Sequence, residues 1–269
     1  MRNKLFICAE RVTGDHEFEA HLQIAKERDL GIEIQEFSTP ELMRGNWEGR
    51  LDEYKKLLRD FGGDLSIHNA FHNLVNVSPD PDVIELTQKK YDFHFMIARE
   101  LGCRIIVSHL SWNPFYTDVW LKRWQEDQIK FWDRYVNIAE REDLLLVCEN
   151  TMEPRPEILK AVVDEMQSDR FKFIFDIGHA NLFSEVPIEQ WILTFGDDLA
   201  YMHVHNNYGN YDSHNSVLKG TINFHYLFKL IDRVGIAPIL STEIFGNGLI
   251  ESIEYLEGKI MNSSAYDVS

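Results

Sequence analysis

Eight short apolar runs punctuate the chain, and a longer segment with helical periodicity follows each of them. The runs are KLFIC (4–8), GIEIQEF (31–37), DLSIH (64–68), RIIVSH (104–109), LLLVCE (144–149), FKFIFD (171–176), AYMHVH (200–205) and PILSTE (238–243). Near-continuous apolar runs of this length suit strands buried on both faces. The helical patterns cover 15–28, 47–61, 81–101, 119–142, 155–167, 187–195, 223–234 and 249–262. Pro81-Asp82 and Pro187 mark two helix starts, and Gly31, Gly102 and Gly235 stand where C-terminal caps are expected. Strictly alternating strands and helices imply a parallel sheet with right-handed crossovers. Eight units within 269 residues match the size of a (β/α)8 TIM barrel, expected as one domain over 1–269. An open doubly wound sheet would carry a glycine-rich phosphate loop after an early strand, and this sequence has none.

A barrel of this kind performs its chemistry at the C-terminal ends of its strands. The residues closing the runs are therefore informative. They are His68, His109, Glu149, Asp176 (with His179 three residues on), His203 and His205, and Glu243. The segment after the seventh run, YDSHNS, adds Asp212 and His214. Seven of the eleven histidines (68, 72, 109, 179, 203, 205 and 214) lie at or just after a strand end. Any one of these histidines has an ordinary alternative as a hydrogen-bonded core or loop residue, and a lone Asp after a strand has one as a turn or N-cap residue. A set converging on one end of one barrel does not share that explanation. Mixed imidazole and carboxylate donors suit zinc, manganese, cobalt or iron, and the lack of cysteine donors argues against a purely structural zinc site. One to three divalent ions are expected. His94 and His225 fit structural positions, and for His16, His21 and His72 the sequence leaves both readings open. Phe71, Trp112, Phe115, Tyr116, Tyr208 and Phe245 follow strand ends, where they either wall a pocket or pack.

The net charge of −17 disfavours nucleic acid and other polyanions as partners. The three cysteines (Cys8, Cys103, Cys148) lie in or beside apolar runs without CxxC spacing, as reduced core residues do. No segment has the length of a membrane span or the apolar core of a signal peptide, so a cytoplasmic location is expected.

The segments FDIGHANLF, HVHNNYGNYDSH and KGTINF resemble the xylose isomerase-like TIM-barrel superfamily, in particular its sugar phosphate isomerase/epimerase branch. The superfamily also contains metal-dependent apurinic endonucleases of the endonuclease IV type. The isomerase resemblance implies one divalent ion held by Glu149, Asp176, His203 and Glu243. The endonuclease resemblance implies three zinc ions held by His68, His109, Glu149, Asp176, His179, His203, Asp212, His214 and Glu243.

These readings make a metal-dependent sugar or sugar-phosphate isomerase or epimerase the leading expectation. Glu149 and Glu243 would be its acid/base pair across a metal-stabilised enediolate. His179, His205 and Asn207 would hydrogen-bond the sugar. The alternatives are a multinuclear zinc phosphodiesterase and a barrel that binds sugar or metal without turnover. Relatives of this kind often form homo-oligomers.

Overall fold

A computed structural model describes residues 4–9, 17–116, 118–244 and 247–264. His16 and Phe245 lie outside the described residues. The strands are β1 (Leu5–Ala9), β2 (Gly31–Ile34), β3 (Leu65–His68), β4 (Ile105–His109), β5 (Leu145–Glu149), β6 (Phe171–Asp176), β7 (Leu199–Val204) and β8 (Ile239–Thr242). All pair in parallel with their sequence neighbours, and β8 returns to β1, closing the expected barrel. Helices α1 (Glu17–Arg28), α2 (Pro40–Arg44), α3 (Trp47–Leu57), α4 (Pro81–Leu101), α5 (Asp118–Glu142) and α6 (Glu157–Met166) follow the first five strands. Then come α7 (Ile177–Phe183), α8 (Ile188–Phe195), α9 (Phe224–Val234) and α10 (Leu249–Ser264).

Alternation along each strand divides the core in two. Phe6, Ile105, Val107, Val147, Ile174 and Tyr201 fill the barrel interior. Ile7, Ile32, Ile34, Ile106, Leu146 and Phe173 belong to the larger layer packed against the helices. The residues that continue the inward-facing series upward are the polar strand ends, so the mouth of the barrel is lined by them.

Three local expectations are corrected. The second run does not stay extended to Phe37: β2 ends at Ile34, and Glu36–Ser38 forms a 3-10 turn. The cause is tertiary, because the Gln35 side chain bonds Glu243 while the Glu36 carboxylate takes Tyr54 and Arg50. Gly31 begins β2 instead of capping α1; Asp29 takes the left-handed position there, with φ 56°. Asp176 is followed by a seven-residue helix, α7, which lies outside the eight helical segments expected from sequence. Among the described residues no helix is long and apolar enough to cross a membrane.

Candidate metal centre

Asp176 is both a cap and a member of the polar ring. Its Oδ1 accepts the His179 backbone N–H at 2.7 Å, which starts α7 and swings the His179 ring back over the barrel mouth. Asn150 secures the same corner, with its amide bonded to both the N–H and the carbonyl of Asp176 at 2.8 Å. His205 passes beside Gly178, where an added Cβ would lie 1.9 Å from the imidazole. Asn206 likewise occupies the space a Cβ on Gly220 would need, at 2.0 Å, and its side chain ties Val217 and Ile222 of the long loop after β7. The glycines of FDIGHA and KGT therefore make room for His205 and Asn206. Gly178→Ala is expected to destabilise the fold by about 1–3 kcal/mol through overpacking and to displace His205. Thermal melting checks the first effect and the His205 NMR resonances the second.

Glu149 is the hub. Its Oε2 lies 3.4 Å from His68 Nε2, 3.3 Å from His109 Nε2 and 3.5 Å from His203 Nδ1. Its Oε1 lies 3.2 Å from His179 Nδ1. His203 Nδ1 also faces Glu243 Oε2 at 3.2 Å and Asp176 Oδ2 at 3.6 Å. Further out, Asp212 Oδ2 stands between His179 Nε2 at 3.2 Å and His214 Nε2 at 2.8 Å. The structure thus brings together all nine residues of the longer ligand set. It gathers donor atoms in four groups: His68, His109 and Glu149; Glu149, Asp176 and His203; Asp176, His205 and Glu243; and His205, Asp212 and His214.

Four observations test whether this cluster fits metal ions. First, the atoms facing the centre are buried without hydrogen-bond partners: His109 Nε2, Glu149 Oε2, His203 Nδ1, His205 Nδ1 and Glu243 Oε2. Buried polar atoms are almost always satisfied, so a group of orphans aimed at one another implies something between them. Second, the distances around Glu149 Oε2 exceed the roughly 2.7–2.9 Å of a charge-assisted hydrogen bond. They match the separation of about 3.3–3.5 Å between neighbouring donors around a tetrahedral zinc. Third, the rear nitrogens of the histidines are committed. Nδ1 of His68, His179 and His214 bonds the carbonyls of Asn69, Asn150 and Glu243 at 2.8, 2.9 and 2.9 Å. A carbonyl only accepts, so each of these rings carries a proton at the rear and turns Nε2 inward toward a carboxylate, the nitrogen at which a metal ion could take the place of a proton. Fourth, the carboxylates face imidazoles, and among the described residues no lysine or arginine pairs with Glu149, Asp176 or Glu243. The residues fit divalent ions.

The electrostatics agree. Burial alone would raise the Glu149 carboxyl, but His203 and His109 hold it well below the usual carboxylate range. Burial opposes charge on His203, yet Glu33, Glu243 and Glu149 raise it well above the ordinary imidazole value. His214, also opposed by burial, is raised to about 9 by its bond to Asp212 and by nearby carboxylates. His109 goes the other way, lowered chiefly by burial. The carboxylates favour positive charge on His203 and His214, and a metal ion replaces those protons.

Other expected residues fall in different places. His205 is fully buried, with Nε2 at 3.1 and 3.2 Å from the Asp176 oxygens and its ring stacked on His214 at 4.1 Å. Asn207 is fully buried as well, donating to Gly178 O and accepting from Asn181 and the Gly209 N–H. These bonds brace α7 against the β7 loop. His94 is buried in α4, bonded to Lys90 O, and lowered by burial to about 4. His72 and His225 are exposed and His21 is half-buried in α1. Phe71 does wall the site, with its ring 4.9 Å from His68 and 5.3 Å from His109. Trp112 and Tyr116 instead line a neighbouring cavity of about 320 Å³ with Met152, Arg155, Phe183 and Glu185. Phe115 and Tyr208 are exposed.

Sequence reasoning missed Glu33, Gln35 and Glu153. Glu33 and Gln35 alternate with Ile32 and Ile34, a period-two polar signal inside an apolar strand that would have identified them. Glu153 is buried, accepts the Thr151 N–H at 2.6 Å and has its carboxyl pushed up to about 7 by burial; four residues past a strand end, it had no local signal.

The fold and the cluster together define a (β/α)8 barrel with a histidine–carboxylate centre at the C-terminal mouth. The chain belongs to the xylose isomerase-like TIM-barrel family, whose model matches residues 24–259. An uncharacterised protein of Methanocaldococcus jannaschii, MJ1311, is 26% identical over 200 residues, covering 71% of this chain and 68% of the relative. A solved structure of the TTHB071 protein from Thermus thermophilus, soaked with zinc chloride, is 25% identical with a TM-score of 0.78. It covers 96% of this chain and 98% of its own. A D-tagatose 3-epimerase-like protein shares the fold at 19% identity, with a TM-score of 0.79 over 98% of this chain and 100% of its own.

Proposed function

We propose that the protein is a multinuclear metal-dependent hydrolase of small phosphate diesters. One observation carries this reading: donors beyond a single ion's set face that set at the separations that neighbouring ligands of one ion have. A one-ion isomerase uses Glu149, Asp176, His203 and Glu243. Here His68 and His109 face the same Glu149 oxygen at 3.4 and 3.3 Å, and Asp212 joins His179 and His214 on the outer side. His68, His109 and Glu149 would hold one ion, Glu149, Asp176, His203 and Glu243 a second, and His179, Asp212 and His214 a third. Bound ions would supply Lewis acidity, lowering the pKa of water and drawing off charge from phosphoryl oxygens.

The chain's own residues do the rest. Glu149 serves two groups at once and sets their spacing. Phe71 closes the wall beside His68 and His109 against water. The cavity lined by residues that follow β4 and β5 and by Phe183 of α7, Trp112 and Arg155 among them, would take the non-reacting part of a small ester. The charge of −17 opposes long polyanions and favours a substrate of that size. The zinc-soaked Thermus relative supports zinc as the ion.

The leading expectation from sequence, an isomerase or epimerase, keeps one observation in its favour: Glu149 and Glu243 both face His203, at 3.5 and 3.2 Å, as an acid/base pair would. Metal content and His109→Ala separate the two. Protein purified without added metal or chelator is expected to carry about two or three zinc ions per chain and to hydrolyse bis(p-nitrophenyl) phosphate. His109→Ala is expected to lower that rate at least roughly 10–100-fold. One ion per chain, with proton exchange on sugars in deuterated water that survives His109→Ala, would replace the hydrolase with the isomerase.

A further inference from the structure

Strand β2 contributes none of the nine donors, yet it and the residue just after it send two polar side chains into the barrel. Glu33 and Gln35 are two residues apart and point inward, while Ile32 and Ile34 pack outward. Glu33 is fully buried. Its carboxylate accepts the Tyr201 hydroxyl at 2.9 Å and lies 3.1 and 3.2 Å from His203 Nε2. Gln35 Nε2 donates to Glu243 Oε1 at 2.8 Å, which leaves Oε2 of that glutamate facing His203 Nδ1 at 3.2 Å.

A buried polar brace is the simplest account of such a network. The charge argues for more. His68, His179 and His214 are oriented by neutral backbone carbonyls, so orientation alone does not require an ion. A buried carboxylate costs several kcal/mol to desolvate, and this one sits behind the histidine that faces three other carboxylates. A full negative charge on the rear N–H does what a carbonyl does less well: it raises the basicity of the opposite nitrogen.

We infer that Glu33 is a positioning residue for the central metal, fixing the His203 tautomer and strengthening Nδ1 as a donor, while Gln35 aims Glu243 at the same point. This rests on the metal reading above. Strand β2 thus supplies the outer support for an ion that the later strands bind.

Zinc affinity measured by competition with a chromophoric chelator tests it, in wild type, Glu33→Gln and Glu33→Ala. Circular dichroism and thermal melting report folding. Glu33→Gln keeps the volume and the acceptor but removes the charge. One zinc per chain is expected to bind about 10–100-fold more weakly in the Gln variant, with the remaining zinc unchanged. The His203 Nε2–H resonance of the zinc-loaded protein is expected to move upfield. A merely structural Glu33 would lower the melting temperature and leave both readouts where they were. Wild-type zinc affinity in a folded Glu33→Gln protein overturns the inference and leaves the metal reading standing. A wild-type chain that holds no metal removes both. Should Glu33→Ala fail to fold, the Gln variant alone decides.

Discussion

Glu149→Gln is expected to abolish turnover while the barrel survives. The substitution keeps the shape of a fully buried side chain on β5, so the strand and its neighbours have no cavity to fill. It removes the negative charge that His68, His109, His179 and His203 all face. It also places an amide nitrogen, a donor without a lone pair to offer, at one of two positions now aimed at histidines. Because Glu149 belongs to two donor groups, two ions held as proposed would lose a ligand at once. Loss of an outer-shell partner lowers affinity or activity about 10–100-fold; loss of this shared ligand is expected to exceed that, by roughly 10³-fold or more. Elemental analysis, hydrolysis rates and circular dichroism on the same preparation check it. Normal metal content and normal rates in the folded variant would sink the assignment of Glu149 as the hub.

Removing metal is expected to have the largest effect on stability. Glu33, Glu149, Asp176 and Glu243 lie buried within one barrel mouth, and the groups opposing their charge are histidines. An ion bound to the folded state alone, at a free concentration 1,000 times its Kd, stabilises by about 4 kcal/mol. In a chain of this size that is a melting shift of roughly 10 °C, and more if several ions leave together. Melting with a strong chelator, then with zinc restored, measures it. A melting temperature indifferent to complete removal of zinc would mean that the cluster is balanced by its own protons and hydrogen bonds.

The two functional readings depend on different parts of the same cluster. The central donors Glu149, Asp176, His203 and Glu243 would serve either chemistry. His68, His109, Asp212 and His214 would serve the multinuclear one, and they come from β3, β4 and the loop after β7. Their orientation is therefore the more telling feature. His68 and His214 each commit one nitrogen to a backbone carbonyl and present the other to a carboxylate.

Much of this was legible before any tertiary contact was known. Strand runs, helical periods and polar strand ends are local properties: a buried parallel strand must be apolar along its length, and a polar residue is tolerated where the strand reaches the open mouth. That is why FKFIFD is found as a strand at its expected limits and 81–101 as a helix, and why His68, His109, Glu149, Asp176, His203 and Glu243 stand out at strand ends, while the full set of nine came from the family resemblance. What the sequence determined by itself is therefore the order of the elements and the composition of the mouth. Contacts across the barrel decided the remainder. The tautomer of His203 depends on Glu33, 170 residues away, and the aim of Glu243 on Gln35, 208 residues away. Asn207, expected from sequence to reach the sugar, also braces α7 through Gly178, Asn181 and Gly209. No local pattern encodes these pairings, since closing the barrel is what brings β2 to β7 and β8, and only then does each buried polar atom find the partner that its burial demands.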